Sequence, residues 1–316
     1  TLYRPTELVL SAWAGTPLAE IEAAVAEQGQ MLAPEPPHLH HIFGAGPTAT
    51  IGGVVATYLS GPRRITVGAM RDHLLGIRFA NGMGQVVRSG GRVLKNVTGL
   101  DLCKLLAGSH GTLGVITEVT LKVLPRAETS ASLLIRVPDA AAGVRALSAG
   151  LGSPFGVTGA ALLAEAPGVL LAVLRLEDFA PSVAYRAARL AEDLAQFGAA
   201  RVAEAQESAA LWAAIRDVAP LGAAPEEAVW RVSVLPTSLW SSDAVMWGIV
   251  LAVAVTAALV GLSQGAAPTR LGHAVVSGLI GFVLGGTVFA VAAGMLAAVL
   301  GGFAGSGDRA MGAAIG

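Results

Sequence analysis

The sequence predicts an α+β protein in three parts: a glycine-punctuated domain over residues 1–126, a partial α+β cap over 127–236, and a two-helix transmembrane hairpin over 237–316. Three observations lead there. Short alternating apolar runs are interleaved with helical runs as far as residue 236. Two glycine-rich segments, Thr50-Ile51-Gly52-Gly53 and Gly108-Ser109-His110-Gly111-Thr112-Leu113-Gly114, bracket the first part. Residues 237–316 carry only Asp243, Arg270, Asp308 and Arg309 of the 43 formal charges, so the remaining 39 lie before them.

Composition narrows the function classes. Mean hydropathy of +0.63 with 14% charged residues is too apolar for an ordinary soluble chain of 316 residues. A net charge of −1 gives no electrostatic footprint for nucleic acid. Cys103 is the only cysteine, so neither an intrachain disulfide nor a cysteine metal cluster is available. The opening residues Thr1 to Pro5 have neither a charged nor an apolar leader character, and no signal peptide is expected.

In chain order, residues 7–13 alternate as a strand. Residues 17–28 read as a helix with Thr16 as N-cap, Pro17 in the first position and Gly29 as the stop. Residues 38–43 form a weak strand carrying His38, His40 and His41, which lack further metal ligands at fixed spacing and read as loop histidines. Gly44-Ala45-Gly46-Pro47-Thr48-Ala49 fits the dinucleotide fingerprint, but the Gly52-Gly53 pair interrupts the helix that fingerprint requires. A short helix over 50–59 is expected instead, then a turn with Arg63 and Arg64 as a candidate phosphate or carboxylate clamp. Residues 74–80 and 85–89 flank Asn81-Gly82-Met83-Gly84 as a hairpin. A helix over 102–107 ends on Gly108, and a strand over 115–124 is closed by Pro125. Beyond it, strands are expected at 132–137, 169–176 and 229–234, with helices at 140–147 and 181–197.

Residues 244–268 and 274–307 are charge-free runs of 25 and 34 positions, against about twenty needed to span a bilayer. Gly281 and Gly285 in the second run allow close helix approach.

Taken together, Ala49 to Gly53, Ser60 to Arg64, Arg71-Asp72, Lys95 to Asp101, and Gly108 through Pro125 resemble the FAD-linked oxidases of the vanillyl-alcohol-oxidase (PCMH) type, in particular the E-subunit branch of bacterial glycolate oxidases. The resemblance covers about residues 1–236 and implies FAD as cofactor, held by Thr50, Gly52, Gly53, Gly108, Ser109, Gly111, Gly114 and Ile116. Asp101 and Lys95 read as structural or supporting residues. A first glycine-rich loop that the family uses on the FAD pyrophosphate is not found in this sequence, and the cap is cut short near Pro236. The implied activity is an FAD-dependent oxidoreductase acting on a small 2-hydroxy acid, glycolate to glyoxylate. The implied partners are a D-like subunit and an iron–sulfur F-like subunit. The alternative is a non-catalytic subunit anchoring such a complex. No catalytic residue stands out, since His73 and His110 are the only histidines near the motifs and neither is fixed beside a substrate site. The expected location is the membrane, through residues 244–307, with the flavin domain on the cytoplasmic side.

Overall fold

The computed structural model describes residues 2–42, 48–92, 99–166 and 169–221. The expected hairpin over 237–316, the strand at 229–234, Lys95 and most of the dinucleotide-like stretch lie outside them. Among the described residues no helix is long and apolar enough to cross a membrane.

In chain order the elements are β1 (Leu2–Arg4), β2 (Val9–Trp13), α1 (Leu18–Ala26), β3 (Gln30–Met31), α2 (Ile51–Thr57), α3 (Arg64–Val67), α4 (Met70–His73), β4 (Leu74–Ala80), β5 (Val86–Gly90), α5 (Leu102–Leu106), β6 (Val115–Lys122), β7 (Leu124–Pro125), β8 (Thr129–Val137), α6 (Ala140–Leu151), β9 (Gly159–Ala166), β10 (Val169–Asp178), α7 (Ala180–Asp193), β11 (Ala200–Glu204) and α8 (Ala205–Arg216). They form two antiparallel sheets, β1-β2-β6-β4-β5 and β11-β8-β10-β9, with β3 and β7 as a small ribbon.

The first core lies between the five-stranded sheet and α1, α2, α4 and α5. Leu10 and Ala12 of β2 and Val119 and Leu121 of β6 point into it at period two, against Leu18, Ile21 and Val25 of α1. Each of the leucine, isoleucine and valine side chains among them contributes about 1.5–3 kcal/mol by leaving water. Asn81 closes the β4–β5 hairpin as the sequence suggests, its Oδ1 accepting from the Met83 and Gln85 amides at 3.0 Å each.

The second sheet is covered on both faces. Leu133 and Ile135 of β8 and Leu174 and Leu176 of β10 pack under α6 and α7. Leu134, Leu171 and Val173 face Trp212 of α8. The indole Nε1–H donates to Ser132 Oγ at 2.8 Å, and that oxygen is 2.7 Å from Ser208 Oγ, which fixes the roll of α8 on the sheet.

Several sequence expectations need correction. Helix α1 begins at Leu18 with Pro17 as its N-cap, because Pro17 is extended at ψ 136 and no Thr16 side-chain cap forms. Residues 38–42 are not a strand; their backbone is tied locally, as in the Ile42 amide to Leu39 carbonyl bond of 3.0 Å. The strand from Val115 stops at Lys122. A register irregularity opposite Arg78 and Phe79 leaves Val115 67% exposed while Ile116 packs on the core, so one alternation does not run the whole length. In the second half β9, β11 and α8 appear where no element was expected, the first two as edge strands and the last a weakly amphipathic, alanine-rich helix.

Candidate functional site

Helix α2 organises the site. Thr50 is its N-cap, with Oγ1 accepting from the Gly53 amide at 3.3 Å. Its other end carries the second glycine-rich segment: the Gly108 amide donates to the Val55 carbonyl at 3.1 Å and the His110 amide to the Ala56 carbonyl at 2.8 Å. The two segments, more than fifty residues apart in sequence, therefore flank one helix of 7 residues, about 10 Å long at 1.5 Å per residue.

They are not equally free. The Ile51 amide is spent on the Thr16 carbonyl at 3.0 Å and the Gly52 amide on the Ala14 carbonyl at 2.9 Å. A Cβ on Gly52 would stand 2.5 Å from the Ala14 Cβ, so this glycine seats α2 on the end of β2 rather than opening a surface. Gly53 is exposed, but its amide belongs to Thr50.

The second segment leaves more uncommitted. Among the described residues the amides of Gly111, Leu113 and Gly114 have no hydrogen-bond acceptor. Gly111 is exposed at φ +77, with nothing within 4 Å of where a Cβ would stand. The Ser109 Oγ is buried without a partner. Gly114 lies so close to β4 that a Cβ would meet the Ala80 carbonyl at 2.7 Å, which pins the turn to the sheet before Ile116 enters the core. Of the eight residues expected to hold FAD, Ser109, Gly111 and Gly114 thus retain uncommitted polar atoms; Thr50, Gly52, Gly53 and Gly108 have theirs engaged within the protein. The second turn carries backbone N–H groups without a described acceptor, the donors that an anionic or carbonyl-bearing group takes, and beside them in sequence the buried Ser109 hydroxyl.

The two histidines differ. His73 is 3% exposed, its Nε2–H donating to the Val67 carbonyl at 2.9 Å while Nδ1 is buried without a partner. His110 is exposed on the turn at φ +51.

Sequence reasoning missed the most heavily charged part of the interior. Arg175 of β10, 2% exposed, makes a bidentate pair with Glu35, its Nη1 and Nη2 each 3.0 Å from a carboxylate oxygen. Arg63 meets Glu35 at 3.1 Å and Glu177 at 2.8 Å, and Arg175 Nε lies 3.2 Å from Glu177. The Arg175 guanidinium also stacks over the Trp212 ring at 4.5 Å. Burial by itself raises the Glu177 carboxyl, yet the Arg63 hydrogen bond and the charges of Arg175 and Arg63 outweigh it and hold the group below its usual range. Burial likewise lowers Arg63, and its bond to Glu177 reverses the balance upward. The expected Arg63–Arg64 clamp is therefore half right in chemistry: Arg63 does grip carboxylates, but those of Glu35 and Glu177. The signal was present, since Arg175 interrupts the apolar run Val169 to Leu176, where a charge must find a partner.

This cluster floors a cavity of 550 Å³ between α1 and α8, walled by Val25, Met31, Ala209 and Ala213. None of the eight expected cofactor residues lines it. At its edge His38 Nε2 is 2.8 Å from Glu22, and the His38 amide donates to Asp217 at 2.9 Å.

The stretch that carries α2 and the first turn matches a known family model. Residues 3–90 match the family model of the FAD binding domain. FAD is the cofactor that this match assigns. Among curated relatives the chain is 53% identical over 131 residues to glycolate oxidase subunit GlcE of Escherichia coli, covering 42% of this chain and 36% of that protein. It is 34% identical over 125 residues to a D-lactate dehydrogenase of Archaeoglobus fulgidus, covering 40% and 26%. Glycolate oxidase subunit GlcD of Bacillus subtilis is 35% identical over 111 residues, covering 35% and 22%. The chain thus spans about a third or less of the length of these relatives. A solved alkyldihydroxyacetonephosphate synthase superposes with a TM-score of 0.55 at 21% identity, over 69% of this chain and 43% of that one. At that identity it speaks for the fold alone, an α+β fold of the PCMH type.

Proposed function

We propose that this chain is the FAD-binding subunit of a glycolate, or closely similar 2-hydroxy-acid, oxidoreductase complex. The observation that carries the reading is the 53% identity to a glycolate oxidase subunit, joined to a turn whose Ser109 hydroxyl and neighbouring amides have no partner among the described residues. FAD, when bound, supplies the two-electron acceptor for oxidation of an alcohol to a carbonyl. The chain's part is to bind and orient it: Gly111 and Gly114 offer backbone N–H groups, Ser109 a hydroxyl, and the exposed faces of Gly53 and Thr50 a surface without long side chains. Ile116 packs from the core side. No general base is assigned, since His73 is buried against the Val67 carbonyl and His110 sits on the turn itself.

The 2-hydroxy acid, a D-like partner and an iron–sulfur F-like partner belong to this proposal, as does attachment to a membrane through residues 244–307 with the flavin domain on the cytoplasmic side. The charge-free runs in the sequence support the attachment.

A second reading, a non-catalytic anchoring subunit of such a complex, is favoured by one observation: the amides of Ile51, Gly52 and Gly53 are already engaged. Purification of the full chain in detergent, followed by its visible spectrum with added FAD, separates the two. Stoichiometric flavin with dye reduction by glycolate on adding the D-like and F-like subunits is expected from the first. A folded, colourless protein that still assembles with those subunits would overturn it in favour of the second.

A further inference from the structure

We propose that Tyr58 is a positioning residue whose left-handed backbone, and not its ring, sets the second glycine-rich turn relative to α2. The inference rests on the flavin reading above.

Tyr58 follows α2 at φ +57 and ψ 33. Bulky residues rarely adopt this conformation, because their Cβ crowds the following carbonyl, and glycine is the usual occupant. The hydrogen bonds show what the conformation achieves. The Leu59 amide donates to the Val54 carbonyl at 3.1 Å and the Tyr58 amide to the Val55 carbonyl at 3.2 Å. That pair is the left-handed helix stop in which the chain folds back over its own last turn.

By turning the chain away there, Tyr58 leaves the last carbonyls of α2 open on one side. The Val55 carbonyl accepts a second bond from Gly108, and the Ala56 carbonyl is taken by His110. Those two bonds hold the Gly108–Gly114 turn. Contact is close enough that a Cβ on Gly108, itself at φ +87, would stand 3.2 Å from the Tyr58 Cβ. The ring points elsewhere, to the Arg71 guanidinium 5.6 Å from its centroid. A helix that ran on past Thr57, or frayed earlier, would withdraw these carbonyls from Gly108 and His110. The Ser109 hydroxyl and the Gly111 and Gly114 amides, without partners among the described residues, would then lose their common origin.

The test is a series at one position in the full chain: Tyr58→Gly, Tyr58→Asn and Tyr58→Val. Glycine and asparagine accept the left-handed region; the β-branched valine does not. FAD affinity, read by quenching of flavin fluorescence, is expected within about twofold of wild type for the first two and at least about tenfold weaker for Tyr58→Val, the scale of a strained residue. Independently of flavin, amide hydrogen exchange at Gly108 and His110 is expected to stay protected in Tyr58→Gly and to rise at least about tenfold in Tyr58→Val. Equal affinities for valine and wild type would overturn the proposal. So would equal losses for glycine and valine, which would assign the role to the ring. If wild type binds no FAD, the flavin reading fails and this inference with it. If wild type binds and the series does not follow backbone preference, only this inference falls. A valine variant that does not fold leaves the glycine and asparagine variants to decide, since both must then retain flavin for the proposal to stand.

Discussion

Replacing Arg175 by Met keeps an unbranched apolar stem but removes the guanidinium and its charge from the interior. Arg175 is 2% exposed and Glu35 8%, and Arg175 donates two hydrogen bonds of 3.0 Å to the Glu35 carboxylate. Removing one partner of such a pair leaves a buried charge uncompensated, which costs about 3–5 kcal/mol. Arg63 still lies 3.1 Å from Glu35, and this argues for the lower end, about 3 kcal/mol. The described residues suffice for a domain in which each kcal/mol moves Tm by about 2–4 °C. The expected fall is therefore about 6–12 °C in thermal unfolding of the purified full chain, followed by tryptophan fluorescence. Glu35→Gln in the Arg175→Met background is expected to recover part of the loss, with a coupling of about 0.5–3 kcal/mol for groups in direct contact. Loss of less than about 1 kcal/mol in the single variant, or strict additivity in the double, would refute the coupling of Arg175 to Glu35.

Other perturbations separate structure from ligand binding. Gly52→Ala places a Cβ 2.5 Å from the Ala14 Cβ and 2.9 Å from its backbone, and is expected to cost about 1–3 kcal/mol in urea unfolding. Ser109→Ala removes a hydroxyl without a partner; stability should stay within about 0.5 kcal/mol, while FAD affinity, measured by fluorescence titration, falls by about 0.5–1.5 kcal/mol. The Glu177 carboxyl is held below its ordinary value of 4.5 in the folded protein. Its contribution is therefore fully present above that value and is lost as pH falls through the lower, folded one. Glu177→Gln should flatten that acid limb of Tm against pH, and an unchanged acid limb would count against the pairing.

Some local elements were legible in the sequence through short-range rules, although the expected Thr16 cap of α1 does not form. Asn81 and its glycines made the hairpin; Asp101 and Asp139 cap α5 and α6 through bonds to the Lys104 and Ala142 amides, caps absent from the sequence expectations. The glycine-rich turns were visible as motifs, but their duties were not. Gly52 packs on Ala14 and Gly114 on Ala80, contacts between segments distant in sequence and unseen in local spacing. Edge strands β9 and β11 carry mixed patterns because each is half covered, so their alternation is blurred. The Glu35–Arg63–Glu177–Arg175 cluster joins positions up to 140 residues apart.

The sequence by itself determined that two backbone-exposing turns stand at either end of one stretch, in a family order that points to FAD, because glycine's missing Cβ and capping side chains act over a few residues. Only the tertiary structure decided which of their polar atoms remain for a ligand. Hydrogen-bonding capacity is consumed by whatever the fold brings alongside: the Ala14 carbonyl takes the Gly52 amide, the Ala56 carbonyl takes that of His110, and the Ser109 hydroxyl is left without a described partner.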